Sequence, residues 1–151
     1  MAVVDHRTAQ PYTQPTRETL LPFMTFECKS DATGGSLYVA ENEAAGSGVH
    51  IVASQRWLQR QAFPSKVLAA TDAVAFVAAV SPRTAVFYAV WYSEKKGCYV
   101  MSKALIISFM EPSHIQRCRD FINNVMDDAS GRRVALIREA LAQLDPSPPA
   151  W

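Results

Sequence analysis

Three β-rich runs joined by short turn-forming segments place the strongest limit on the fold of this chain. They are AVAFVAAV (73–80), TAVFYAVWYS (84–93) and YVMSKALIISF (99–109). Their β-branched and aromatic residues favour extended strands. The connectors SPRT and EKKG have the length and the residue types of hairpin turns. These runs therefore predict a three-stranded meander.

Helical patterns flank this meander on both sides. From about Leu37, apolar residues recur at helical spacing until Pro64, which predicts a helix over 39–61. The GSG segment at 46–48 either divides this helix into two pieces or permits a close approach of its backbone to a neighbour. After the meander, PSHIQRCRDFINNVMDDAS predicts a second helix. RRVALIREALAQL, beyond Gly131, predicts a third.

An earlier strand completes the pattern at residues 20–29, with Pro22 near its start, where a missing N–H donor is tolerated. The order of strand, helix, meander and helices predicts the α/β class, with a mixed sheet flanked by helices in a single domain. We expect residues 1–19 to be an N-terminal arm, 20–144 to be the domain and 145–151 to be a tail.

Composition supports one folded domain and excludes some classes of function. The 151 residues are 49% hydrophobic and 19% charged, enough apolar content for a sizeable core. The net charge of +1 excludes nucleic-acid binding by bulk charge alone, so a phosphate contact requires a local basic cluster.

Cysteine usage and the start of the chain indicate the compartment. Cys28, Cys98 and Cys118 form no Cys-x-x-Cys pair, which suggests neither a zinc knuckle nor a disulfide framework. The start, MAVVDHRTAQ, lacks the apolar run of a signal peptide, and no run reaches the length of a membrane span. We therefore expect an intracellular protein, cytoplasmic or nuclear, without a membrane partner.

The pair Glu27 and Lys29 is the main candidate for chemistry. Side chains alternate along a strand, so these two lie on one face while Phe26 and Cys28 point the other way. We expect Phe26 and Cys28 to be buried. We also expect the strand to lie inside the sheet, beside 73–80 and 84–93, where idle charges are unfavourable. The alternative is a weak surface ion pair.

A carboxylate beside an ammonium group suits metal-dependent cleavage of phosphodiesters. The carboxylate can hold Mg²⁺ or Mn²⁺, hard ions that prefer oxygen ligands, and the metal can activate a water. The ammonium can orient that water or neutralise charge in the transition state. The end of the strand, where Glu27 and Lys29 lie, is also where sites form in α/β sheets. A second acid is expected from elsewhere in the chain.

The segment PFMTFECKSDATGGSLYVAENEAAGSG resembles the PD-(D/E)xK, or restriction-endonuclease-like, nuclease superfamily. It is most similar to fungal domains of that superfamily, whose pattern is PF-x-x-x-E-x-K-S, a Gly pair and L-x-V-A-x-N-Q-x-A-G-x-G. The resemblance covers roughly residues 20–144. It implies a restriction-endonuclease-like fold and a Mg²⁺- or Mn²⁺-dependent hydrolase acting on DNA or RNA.

Residue by residue, the resemblance implies that Glu27 is the metal carboxylate and Lys29 the catalytic lysine. Asn42 matches the Asn of the pattern and is a candidate for nucleic-acid binding. Glu43 stands where the pattern has Gln, so it either adds a metal ligand or signals lost activity. Asp5, the only Asp upstream of the strand, takes the position of the first acid. The implied metal ligands are thus Glu27, Asp5 and Glu43.

Two further observations bear on partners. Arg56 and Arg60 lie one helical turn apart and form either a phosphate-contacting edge or a solvated helix face. The apolar stripe of the last predicted helix is a core face or a homodimer face. Two functions are open: a metal-dependent nuclease, or a catalytically inactive nuclease-fold module that binds nucleic acid or a protein partner.

Overall fold

The computed structural model of the chain describes residues 21–30 and 36–144, and the structural statements below concern those residues. Asp5, the predicted arm and the predicted tail lie outside them. Four strands and three helices are described: β1 (Met24–Cys28), α1 (Leu37–Ala62), β2 (Val74–Val80), β3 (Thr84–Ser93), β4 (Cys98–Ser108), α2 (Pro112–Asp128) and α3 (Val134–Leu144). A π-helical turn, Ala129–Arg133, joins α2 to α3.

The four described strands form one mixed sheet in the order β1-β2-β3-β4. β1 runs parallel to β2, whereas β2, β3 and β4 pair antiparallel as a meander. Two parallel neighbours need a crossover connection, and α1 provides it between β1 and β2. This confirms the predicted α/β class, the mixed sheet and the meander.

Helix α1 covers one face of the sheet through a row of small residues. Ser36 caps its first turn by accepting a hydrogen bond from the Val39 N–H. Ala40, Ala44 and Gly48 follow at intervals of four residues and are all buried against the sheet. Together with Val77 and Val90 they belong to the main core, so α1 is one continuous helix that approaches the strands closely.

The other face of the sheet packs on α2, and α3 packs on α1. Phe121 and Ile122 of α2 lie against buried Phe87 and Ile107 of the sheet. Ala140 of α3 packs with Leu58, and the side-chain amide of Gln59 donates to the Leu136 carbonyl at 3.1 Å. The last predicted helix is therefore a core helix on the side that meets α1.

Two predictions about β1 are wrong. Among the described strands it pairs with β2 alone, so it does not lie beside β3 in the sheet. Its faces are also reversed. Phe26 is 49% exposed and Cys28 is exposed, whereas Glu27 and Lys29 are half-buried beneath α1.

The faces are reversed because α1 covers one face of β1 more fully than α2 covers the other. The crossover helix α1 lies directly over the odd-numbered residues of β1 and offers them polar partners. On the other face, the ring of Phe26 reaches only the rim of the α2 core. There it meets the Phe87 ring edge-on, with 6.3 Å between the ring centroids.

The glycines of α1 give a matched test of this packing. A Cβ on Gly48 would lie 2.7 Å from Cγ2 of Val90 and 3.1 Å from Cγ1 of Val77, whereas a Cβ on Gly46 would meet no atom within 4 Å. Gly48→Ala should therefore destabilise the fold by about 1–3 kcal/mol. Gly46→Ala should stabilise it by about 0.5–1 kcal/mol, because alanine is the better helix former.

Urea denaturation of the two variants measures this difference directly. If Gly48→Ala proved as stable as Gly46→Ala, the close contact between α1 and β2–β3 would be contradicted.

Candidate functional site

A polar cluster forms where the C-terminal end of β1 meets the first turns of α1. The crossover connection brings these two segments together, because α1 begins shortly after β1 ends and then runs back across the sheet. Glu27 and Lys29 point from β1 toward the helix, and Glu43 and Ser47 lie one helical turn apart on the facing side of α1. We call these four residues the β1–α1 cluster.

Glu27, in β1, and Lys29, directly after it, each have a partner on α1. The hydroxyl of Ser47 donates to Oε1 of Glu27 at 2.7 Å. The Nζ of Lys29 lies 2.8 Å from Oε2 of Glu43, with 30% and 43% of the two side chains exposed. The cluster is therefore ordered by short polar contacts and yet remains open to solvent on one side.

Three of its members follow from the sequence and one does not. The predicted site residues Glu27, Lys29 and Glu43 are brought together. Ser47 was missed. The only signal for it was its position four residues after Glu43, which puts both side chains on one face of a helix.

A second carboxylate contact lies farther along the same side of the sheet. The hydroxyl of Tyr88, on β3, donates to Oε1 of Glu41 in the first turns of α1. Burial, and then the hydrogen bond and charge of Glu41, raise the pKa of Tyr88 well above its usual range. Tyr88 is therefore a hydrogen-bond donor throughout the physiological pH range and fixes Glu41 on the sheet.

Two buried polar atoms on this side have no hydrogen-bond partner among the described residues. They are Oγ1 of Thr25, on the same strand face as Glu27, and Nε2 of His50, three residues after Ser47. Buried polar groups are normally satisfied, so these two atoms have hydrogen-bonding capacity that the described residues do not use.

The candidate nucleic-acid residues have different environments. Asn42 is exposed on the first part of α1. Arg56 is buried: its Nη2 donates to Oε1 of Glu94 at 2.5 Å, and its guanidinium lies 4.2 Å from the centre of the Tyr92 ring. Arg60 is 58% exposed, with its Nη2 at 3.5 Å from the same Glu94 oxygen.

Arg56 therefore stabilises the fold through its buried contact with Glu94. Its hydrogen bond, more than any other influence, lowers the pKa of Glu94 and keeps that carboxylate charged. Only 6% of the Arg56 side chain is exposed, whereas Asn42 and Arg60 are exposed, and Arg60 lies farther than Arg56 from the Glu94 oxygen.

Within residues 21–30 and 36–144, no three His, Cys, Asp or Glu side chains are grouped closely enough to hold a metal ion. Asp5, the third predicted ligand, lies outside these ranges. None of the helices in the same part of the chain is both long enough and apolar enough to cross a membrane.

The fold and the cluster define an α/β protein with a four-stranded mixed sheet and a Glu-x-Lys pair at the end of its first described strand. By its sequence, the chain belongs to the family described as a domain of unknown function, DUF7924, whose profile matches residues 1–141. Neither a curated protein nor a solved structure matches the chain.

The ion pair of the cluster is expected to contribute little to stability, because both side chains are partly exposed. A double-mutant cycle with Lys29→Met, Glu43→Gln and the combined variant should give a coupling energy of about 0.2–1 kcal/mol. Urea denaturation measures each term. A coupling energy above about 2 kcal/mol would contradict this and show that the pair acts as a desolvated structural contact.

The two arginines of α1 should differ in the same assay. Arg56→Met removes a buried hydrogen bond and a stacking contact, and we expect a loss of about 1–3 kcal/mol. Arg60→Met should change stability by less than about 0.5 kcal/mol, because Arg60 is mostly exposed. Equal effects of the two substitutions would contradict a structural role for Arg56.

Proposed function

We propose that this protein is a metal-dependent nuclease that hydrolyses phosphodiester bonds of DNA or RNA. The observation that carries the proposal is the β1–α1 cluster. It places an acid and a lysine side by side at the end of a strand, with a second acid and a hydroxyl facing them from the crossover helix. The resemblance to the PD-(D/E)xK superfamily includes two of these residues, Glu27 and Lys29.

The oxygen donors of the cluster fit a hard divalent ion. Glu27 and Glu43 supply carboxylates, and Mg²⁺ or Mn²⁺ prefers such ligands, with waters completing the shell. We propose that these two residues hold the metal together with Asp5. When bound, the metal would polarise the phosphate and lower the pKa of a bound water.

Side chains of the cluster have the other roles in the proposed reaction. Ser47 donates to one oxygen of Glu27 and so orients the carboxylate, leaving Oε2 for another ligand. Lys29 is held by Glu43 at the open side of the cluster, where its ammonium can donate to a phosphate oxygen. We therefore assign Lys29 the stabilisation of charge that develops on the phosphate in the transition state.

Nucleic acid would lie along the exposed side of α1. Asn42 and Arg60 are eighteen residues apart, which is five helical turns, so they lie on one side of the helix at about 27 Å from each other. We propose that Asn42 and Arg60 contact the backbone and that Arg56 positions this surface from within. An intracellular location, cytoplasmic or nuclear, belongs to the same proposal.

One observation favours a second candidate, a catalytically inactive nuclease fold that binds nucleic acid or a protein. Both charged groups of β1 already have partners on α1, as in a purely structural cluster. In this alternative, Glu43 replaces the amide of the superfamily pattern in order to neutralise Lys29. The two candidates differ in cleavage, and both allow nucleic-acid binding.

The decisive experiment measures cleavage of plasmid DNA, single-stranded DNA and RNA by the full chain in Mg²⁺ or Mn²⁺. We expect cleavage that EDTA abolishes. Lys29→Ala should lower its rate by about 100- to 1,000-fold while affinity for nucleic acid changes little, because the contact is made in the transition state. Lys95→Ala, in the exposed turn after β3, is the matched control and should cleave normally.

Metal binding supplies an independent readout. Mg²⁺ or Mn²⁺ at millimolar concentration should raise the melting temperature of the wild type, and Glu27→Gln should remove that shift. Absence of both cleavage and the metal-dependent shift, with nucleic-acid binding retained, would reject the nuclease and support the inactive module.

A further inference from the structure

An apolar cavity lies between the start of β1 and the helices α2 and α3. Its volume is about 470 Å³, within the range of about 300–1,000 Å³ typical of small-molecule sites. Its walls are built mainly from large aliphatic and aromatic side chains, among them Leu21, Phe23, Met126, Val134, Ile137 and Leu141. The nuclease proposal uses none of these residues.

One wall of the cavity carries a buried cation. Arg133 is only 5% exposed, and its Nη2 donates to the carbonyls of Pro22 at 2.7 Å and Leu21 at 3.3 Å. Among the described residues, no carboxylate lies within ion-pair distance of Arg133, and its Nε and Nη1 donate to no residue. Asp128 is held instead by Arg132, at 2.7 Å and 3.0 Å.

Burial of a guanidinium is unfavourable unless its charge is compensated, and the attraction of Asp128 compensates that of Arg133 only in part. Burial accordingly lowers the pKa of Arg133 to about 10. The two carbonyl contacts satisfy only part of its five N–H donors. An anion entering the cavity would supply the missing charge.

The backbone explains why Arg133 faces inward. It ends the π-helical turn Ala129–Arg133, which also contributes Ala129 and Ser130 to the cavity wall. A π turn contains one residue more than an α turn, so the side chains that follow are rotated by about 100°. Arg133 is buried, whereas its neighbour Arg132 is exposed. π turns are rare and are frequently found at functional sites.

We propose that this cavity binds an aliphatic monocarboxylate. The carboxylate accepts hydrogen bonds from Nε and Nη1 of Arg133, and the hydrocarbon tail lies against Ile137, Leu141 and Phe23. The anionic head matches Arg133, the one charged side chain that the described residues contribute to the wall, and the apolar walls exclude a ligand that is charged along its length, such as a nucleic-acid backbone.

Isothermal titration of the full chain with butyrate, octanoate, decanoate and 1-decanol, each kept below its aggregation limit, tests the proposal. We expect saturable one-to-one binding of decanoate, and an affinity that rises roughly fourfold for each added methylene. Butyrate should not bind detectably. 1-Decanol should bind at least about tenfold more weakly than decanoate, because it lacks the charge.

Arg133→Met should weaken decanoate binding by roughly ten- to a hundredfold and leave 1-decanol binding unchanged. Arg138→Met is the matched control, because Arg138 is exposed on α3 and does not line the cavity, and it should bind decanoate normally. Ser130→Trp places a large side chain at an exposed position of the cavity wall and should weaken both ligands.

Decanoate binding that is not saturable, or that is as tight in Arg133→Met as in the wild type, would overturn the proposal. Should Arg133→Met fail to fold, Ser130→Trp and the chain-length series decide instead. In that case, unchanged affinity in Ser130→Trp, or no dependence on chain length, overturns it. Neither result depends on nuclease activity.

Discussion

The close approach of α1 to the sheet is the contact on which the rest of the structure depends. At Gly48 the helix lies so near Val90 that no side chain fits between them. Buried Ala40 and Ala44 extend this contact over two further turns of the helix. A helix that touches a sheet at its backbone has little freedom to slide or rotate, since interiors are packed to the density of organic crystals. The position of every other side chain of α1 is therefore fixed.

The β1–α1 cluster is a direct result of that geometry. With the small residues turned toward β2 and β3, the neighbouring side of the helix faces β1 and presents Glu43 and Ser47 to Lys29 and Glu27. The two charged groups at the end of β1 thus have complementary groups on α1. This arrangement also explains how β1 carries two charged residues under a helix, because each is hydrogen-bonded or paired there.

The sequence predicted the helices and strands well. It did not predict which face of β1 is covered by a helix. The meander and the helices follow from β-branched runs and helical spacing, which are local properties. The alternation of side chains along a strand predicted that Glu27 and Lys29 share a face. Which face lies under a helix depends on partners in another element, here Glu43 and Ser47 of α1. Likewise, the burial of Arg56 depends on Glu94, thirty-eight residues away. Asp5 lies outside the described residues, so its place in the site stays a prediction.

The contact between Arg133 and the carbonyls of Leu21 and Pro22 has a consequence for folding. It joins residues 111 and 112 positions apart, nearly the whole length of the domain. During synthesis, the N-terminal part of a domain emerges first, at about 5–20 residues per second. This contact therefore cannot form until the π-helical turn has been made, whereas β1 can already pair with β2 once residue 80 has emerged. Contacts of such high sequence separation slow folding, because the long loop between their two ends must close before they form.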